Sequence, residues 1–167
     1  MKKIILNSVM ALPFLLLFTG CPVGIDYTLG YPGKEEIDKA LIGTWTTVAE
    51  DPDYRTVTIS KKDNFSYDVE VFETGSIYSL DVTKFTAWVT KVGGKTFLYA
   101  QPVGSSDEQY YLYCYEEVDK KTMKSFDVSL LDGGMDSVSS TETYRAQVET
   151  SLKIEECLTE EKTWTKE

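Results

Sequence analysis

The feature that most limits this chain is an alternation of period two through its middle. Phe65, Tyr67, Val69 and Val71 alternate with Ser66, Asp68 and Glu70, the pattern of a strand with one face buried and one wet. Seven further β-rich stretches surround it: Leu41 to Ala49, Tyr54 to Ser60, Ile77 to Val82, Phe85 to Val92, Thr96 to Gln101, Gln109 to Val118 and Lys124 to Leu130. Turn chemistry separates them at Asp51-Pro52-Asp53, Glu73-Thr74-Gly75 and Gly93-Gly94. The two adjacent glycines between Val92 and Lys95 suit a two-residue hairpin, which needs positive φ at both central positions. Arg55, Val57 and Ile59 share one strand face. Tyr111, Tyr113 and Tyr115 share another, with Tyr110, Leu112 and Cys114 on its reverse. Short strands at spacings of roughly 8 to 12 residues predict a mainly β antiparallel domain, a barrel or a sandwich.

The rhythm breaks after Leu130. Asp132-Gly133-Gly134 is a stop. Ser139 with Glu142 fits a capping box. Tyr144, Val148 and Leu152 recur at intervals of four and make one apolar stripe on a helix of about three turns, laid on the sheet. Thr163-Trp164-Thr165 offers a short last strand. At the other end, Pro22 to Gly33 is rich in Gly and Pro and reads as a flexible tether. Lys34 to Ala40 predicts a short helix or 3₁₀ segment leading into the domain. Residues 21–33 are therefore expected to be tether and 34–167 one domain, with no internal repeat.

The first twenty-one residues have another logic. Lys2 and Lys3 precede an apolar run from Ile4 to Phe18, and Thr19-Gly20-Cys21 closes it. A charged start, an apolar middle and small residues at a cleavage point make a secretory signal. The run is about 15 residues, short of the roughly 20 that span a bilayer. With cysteine at the processing point, the stretch resembles the lipobox of bacterial lipoproteins. That resemblance implies removal of residues 1–20, acylation of Cys21 and a protein tethered to membrane by its N-terminal lipid. The expected location is the bacterial cell envelope, outer membrane ahead of inner, with the domain in the periplasm or at the surface. Each buried methylene of an acyl chain contributes about 0.8 kcal/mol, so more than one chain makes a lasting anchor.

Composition removes several classes of function. The chain has 167 residues and no histidine, which excludes Ser-His-Asp and Cys-His catalysis and the commonest zinc ligand. Its 17 basic residues, less Lys2 and Lys3, face 27 acidic ones. A mature charge near −12 argues against nucleic acid or anionic lipid as partner and leaves a basic protein as an expected one. Cys114 and Cys157 remain as a candidate disulfide or two buried thiols, in a compartment that permits either. The carboxylates fall in turns or on wet strand positions. Asp132 to Asp136 lacks calcium-loop spacing. No metal or cofactor is expected, and neither is an enzyme.

From Leu41 onward the order of elements carries a second resemblance. A short helix, Gly43-Thr44-Trp45 opening the first strand, eight antiparallel strands, one helix and a short final strand resemble the lipocalin-like (calycin-type) β-barrel. Gly43 and Trp45 match that family's glycine–any–tryptophan motif. The resemblance implies that Trp45 plugs the closed end of the barrel, with Lys162 or Lys166 lying across it. It also implies an interior for one small ligand. The chain has eleven tyrosines. Phe65, Tyr67, Trp88, Tyr99, Tyr111 and Tyr113 are candidate liners for a small apolar or amphipathic molecule. The alternative expectation is a filled core and an acidic surface that meets a basic envelope protein as inhibitor or assembly factor.

Overall fold

The alternating stretches fold as strands, and each pairs with the next. The computed structural model describes residues 24–47, 55–73, 82–104, 109–129 and 134–167. Its strands are β1 (Gly43–Thr47), β2 (Arg55–Lys61), β3 (Tyr67–Glu73), β4 (Val82–Val92), β5 (Lys95–Pro102), β6 (Tyr111–Asp119), β7 (Thr122–Val128) and β8 (Leu158–Lys166). β8 returns to β1 and closes an eight-stranded antiparallel barrel. Closure leaves no sheet edge. The helix α1 (Thr141–Ser151) lies between β7 and β8. The expected mainly β barrel, helix and final strand are all present. The final strand, however, is longer than Thr163 to Thr165 and is itself the eighth stave. The strand expected at Ile77 to Val82 lies outside the described residues, except for Val82, which opens β4.

Two apolar clusters sit on opposite faces of the sheet. The first takes Leu41 and then Trp45, Ile59, Tyr67, Val69, Ala87, Val89, Ala100, Tyr115, Met123 and Trp164. Every strand contributes, and only the lumen touches all eight. The second takes Val92, Phe97, Tyr99, Leu112 and Cys114 from β4 to β6, with Ile25, Leu29, Tyr144 and Val148. It is the outer face of those strands, covered by α1 and the N-terminal segment. Strands covered on both faces lose their alternation, as in Thr96 to Ala100.

The tether expected from composition is, from Gly24 onward, a strap. Ile25 and Tyr110 exchange backbone hydrogen bonds, 3.0 Å from the Ile25 N–H and 2.8 Å back. Leu29 is fully buried. Gly30 passes so close to the wall that a Cβ there would stand 2.8 Å from Thr90 and 2.9 Å from Tyr99. Arg145 of α1 donates to the Leu29 carbonyl at 2.9 Å and the Thr90 hydroxyl at 3.0 Å. The Gly/Pro content conceals two apolar anchors, and their burial outweighs the chain's intrinsic freedom. The strap ends where the Ile37 N–H reaches the Asn64 carbonyl at 3.0 Å. Of the short helix or 3₁₀ segment expected over Lys34 to Ala40, the 3₁₀ form is present as a single turn, Lys39–Leu41, capped by Asp38. The cap of α1 is also shifted by one. Ser140 and Thr143 bond each other's backbone, while Glu142 accepts from Tyr31.

Strand direction gives the barrel two unlike ends. One carries the short turns 62–66, 93–94 and 120–121, and the 3₁₀ turn. There Trp45 donates its Nε1–H to the Leu41 carbonyl at 2.8 Å. Lys166 Nζ stands 5.0 Å from the Trp45 ring centroid and donates to the Ala40 carbonyl at 2.9 Å. The other end receives the connections 48–54, 74–81, 103–110 and 129–157. These are the turn end and the loop end below.

Gly43→Ala should destabilise the mature domain by about 1–3 kcal/mol in urea unfolding, because Gly43 has φ +143 and its Cβ would meet Lys166 Cε at 2.5 Å. Leu29→Ala should cost about 2–5 kcal/mol, whereas Val103→Ala, at an exposed position, should stay within about 0.5 kcal/mol. Equal, small effects of the last two would mean that the segment is a loose tether after all.

Candidate functional site

Down its axis the lumen changes character. The turn end is solid. Tyr67 and Tyr115 converge on Asp38: the Tyr67 hydroxyl accepts from the Asp38 N–H at 2.6 Å and donates to its carbonyl at 3.0 Å. Tyr115 donates to the Asp38 carboxylate at 3.1 Å. Burial pushes both phenols up, so they act as neutral donors. Trp164 fills the far side and donates to Ser125 Oγ at 2.8 Å. A depression beneath, lined by Asp38, Leu41, Trp45, Tyr115, Glu117 and Met123, has about 10 Å³ of room for the centre of a water molecule. That suffices for one water and no more.

Toward the loop end the inward side chains lose their cover. Val57, Val71, Phe85 and Leu98 pack on the inner cluster but are only half-buried. Tyr111 meets Phe85 edge to face, with ring centroids 6.2 Å apart and planes at 86°. Residues directly opposite in antiparallel strands share a face. Tyr113 therefore points inward, since it stands opposite Leu98 and Asp127. Arg55 follows the face of Val57, and Lys162 that of Trp164.

The strand register brings Tyr113 beside Asp127 on the inward face. Its carboxyl lies above the usual range because it is partly buried. Lys162 and Arg55 pull it back down, and Glu160 pushes it up. A β7 residue that feels cations from β2 and β8 lies within electrostatic range of both. These inward positions place an aliphatic and aromatic set, Val57, Val71, Phe85, Leu98 and Tyr111, beside a polar set, Arg55, Tyr113, Asp127 and Lys162, and together they outline a candidate cup at the loop end. Among the described side chains of that polar set, Arg55 and Lys162 are cations and Asp127 is a carboxylate, while Glu73 stands opposite Arg55 in the β2–β3 register. Such a surface suits a molecule with an apolar body and a polar, preferably acidic, head.

Of the expected liners, only Tyr111 and Tyr113 belong to the cup. Tyr67 points inward but is sealed in the plug. Phe65 precedes β3 and is exposed on the turn, so it lines nothing. Trp88 and Tyr99 lie on the outer face. They stack at 5.6 Å, with Tyr110 beside both, because α1 and the strap give that face a second core. Gly43 and Trp45 lie at the turn end, and Lys166 lies over the tryptophan. Cys114 and Cys157 are free and buried. Cys114 belongs to the outer cluster and burial pushes its thiol up to about 12. Cys157 sits in the 3₁₀ turn before β8, outside that cluster. Cys21 lies outside the described residues.

Sequence reasoning missed Arg55, Val57, Val71, Phe85, Leu98, Asp127 and Lys162. One signal was available. Arg55 shares its face with Val57 and Ile59, which is an odd place for a cation unless that face is wet at one end.

No protein-family model matches the chain, and neither does any curated protein or solved structure; the barrel and its cup are therefore described on their own geometry.

Proposed function

We propose that this is a lipid-anchored protein of a bacterial envelope that holds one small amphipathic molecule in the loop end of its barrel. The apolar body of the ligand rests on Phe85, Tyr111 and the aliphatic floor. Its acidic head turns to Arg55 and Lys162. The observation that carries this reading is the half-burial of apolar side chains inside a closed barrel. At the turn end such side chains are sealed. At the loop end solvent meets Val57, Val71, Phe85 and Leu98, and a ligand covering them gains roughly 25 cal/mol per Å² of apolar surface. The lipobox-like start supports the anchor. A second reading, an interaction protein that meets a basic envelope partner, draws support from the solid turn end and the acidic composition.

A fluorescent naphthalene sulfonate probe tests the ligand reading, because its acid group stays ionised across the working pH range. The mature domain should bind it. Arg55→Gln and Lys162→Gln should each weaken binding about tenfold, the range for a part-exposed charge-assisted hydrogen bond. Asp127→Asn should tighten it several-fold. The pH dependence follows from the same polar set. As pH falls through the raised pKa of Asp127, its negative charge disappears and the set becomes more positive, so wild-type affinity should rise. Asp127→Asn should flatten that rise. Near-UV circular dichroism must stay native throughout, since an acid-expanded state binds such dyes by itself. A folded domain that takes up no probe, or binds it equally in all four proteins, counts against the cup and favours the second reading.

A further inference from the structure

We infer that the strap turns the loop end of the barrel, and the cup inside it, toward the membrane that carries the anchor, so that the lipid surface of that bilayer is the partner of this end. The inference rests on acylation of Cys21 under the reading above. It follows from how little chain is left over. Three residue steps separate Cys21 from Gly24, and at 3.3–3.6 Å per residue they reach about 10 Å at most.

Gly24 is a fixed point. A Cβ on it would stand 2.4 Å from Gln109 Oε1. The next residue, Ile25, is bonded in both directions to Tyr110. Tyr110 immediately precedes β6, whose first residue is at the loop end. From there the strap runs away from the anchor, past Thr90 and down to Asn64 at the turn end. β4, with 11 residues, measures roughly 35 Å along its own direction at about 3.3 Å per residue. The anchor therefore holds Gly24, on the rim of the loop end, within about 10 Å of the bilayer surface, and the strap leads from there toward a turn end that stands farther out.

Exposed side chains at this end fit a lipid interface. Val103, just past β5, is 58% exposed, and Tyr27, two residues after Ile25, is 38% exposed. An apolar body with a polar tip suits the headgroup level. Net charge does not draw the domain down, because an acidic protein is repelled by anionic lipid. Tether length sets the orientation. An amphiphile leaving the cup then meets the bilayer without a long passage through water.

The test uses the full chain, processed in a bacterial host and reconstituted in phosphatidylcholine vesicles that contain a nitroxide-headgroup quencher of contact range. Val103→Cys places a fluorophore at the loop end, and Val118→Cys places one at the turn end. Both valines are exposed, while Cys114 and Cys157 are buried, so label goes to the new thiol. The Val103 label should be quenched at least threefold more than the Val118 label. Inserting a Gly–Ser linker between Val23 and Gly24 should remove that difference. Equal or reversed quenching with Cys21 shown by mass spectrometry to be acylated overturns the orientation alone. An unacylated Cys21 overturns the anchor reading and the orientation with it.

Discussion

Closure of β8 onto β1 is the constraint on which the remaining structure depends. Three residue pairs make that seam, Trp45 with Lys166, Thr46 with Thr165 and Thr47 with Trp164. Three of these residues, Trp45, Trp164 and Lys166, also close the turn end. Trp45 is held by the Leu41 carbonyl below and the Lys166 ammonium above, and Lys166 ties the seam to the 3₁₀ turn through Ala40. A cation over an indole face is attracted by the ring's quadrupole. Here the cation also satisfies a carbonyl that the short helical turn leaves unpaired. Gly43 makes the arrangement possible, since any side chain at that position would occupy the space of the lysine.

Once the turn end is sealed, the two clusters divide the work. The inner one is solid where Trp45, Tyr67, Tyr115 and Trp164 meet, and thins toward the loop end. The outer one spends many of the remaining aromatics on rigidity, fixing α1 and the strap against β4 to β6. Arg145 is central to this wall. It reaches the Leu29 and Lys91 carbonyls and the Thr90 hydroxyl, so helix, strap and strand are held by one guanidinium with its donors in a fixed fork. Thr90 also donates to Glu35, which brings a carboxylate to the same network.

Much of the fold was legible in the sequence. Alternation is a direct imprint of a sheet with one buried face, so β3 and the two faces of β6 could be read residue by residue. The helical stripe of Tyr144 and Val148 was equally plain. What could not be read depends on neighbours distant in sequence. Trp88 and Tyr99 carry the same local signal as lumen residues, and only the arrival of α1 and the strap places them outside. Leu29 sits in a Gly/Pro-rich stretch whose composition argues for freedom, and nothing local records that the wall beneath it is apolar. The final strand looked short because Glu160 and Glu161 interrupt its alternation at a bulge, where Glu160 takes positive φ. The cup was hidden for a related reason. Arg55, Asp127 and Lys162 look like ordinary wet-face charges until closure turns their faces inward.

The half-buried loop end of the lumen is proposed to hold an amphipathic molecule. Native mass spectrometry of the mature domain, with Cys21→Ser and purified from its own host, tests it most directly. An occupied cup gives a non-covalent adduct of a few hundred daltons that dissociates on unfolding and is lost from Arg55→Gln/Lys162→Gln. A bare mass under gentle ionisation, with the domain folded, would contradict the proposal.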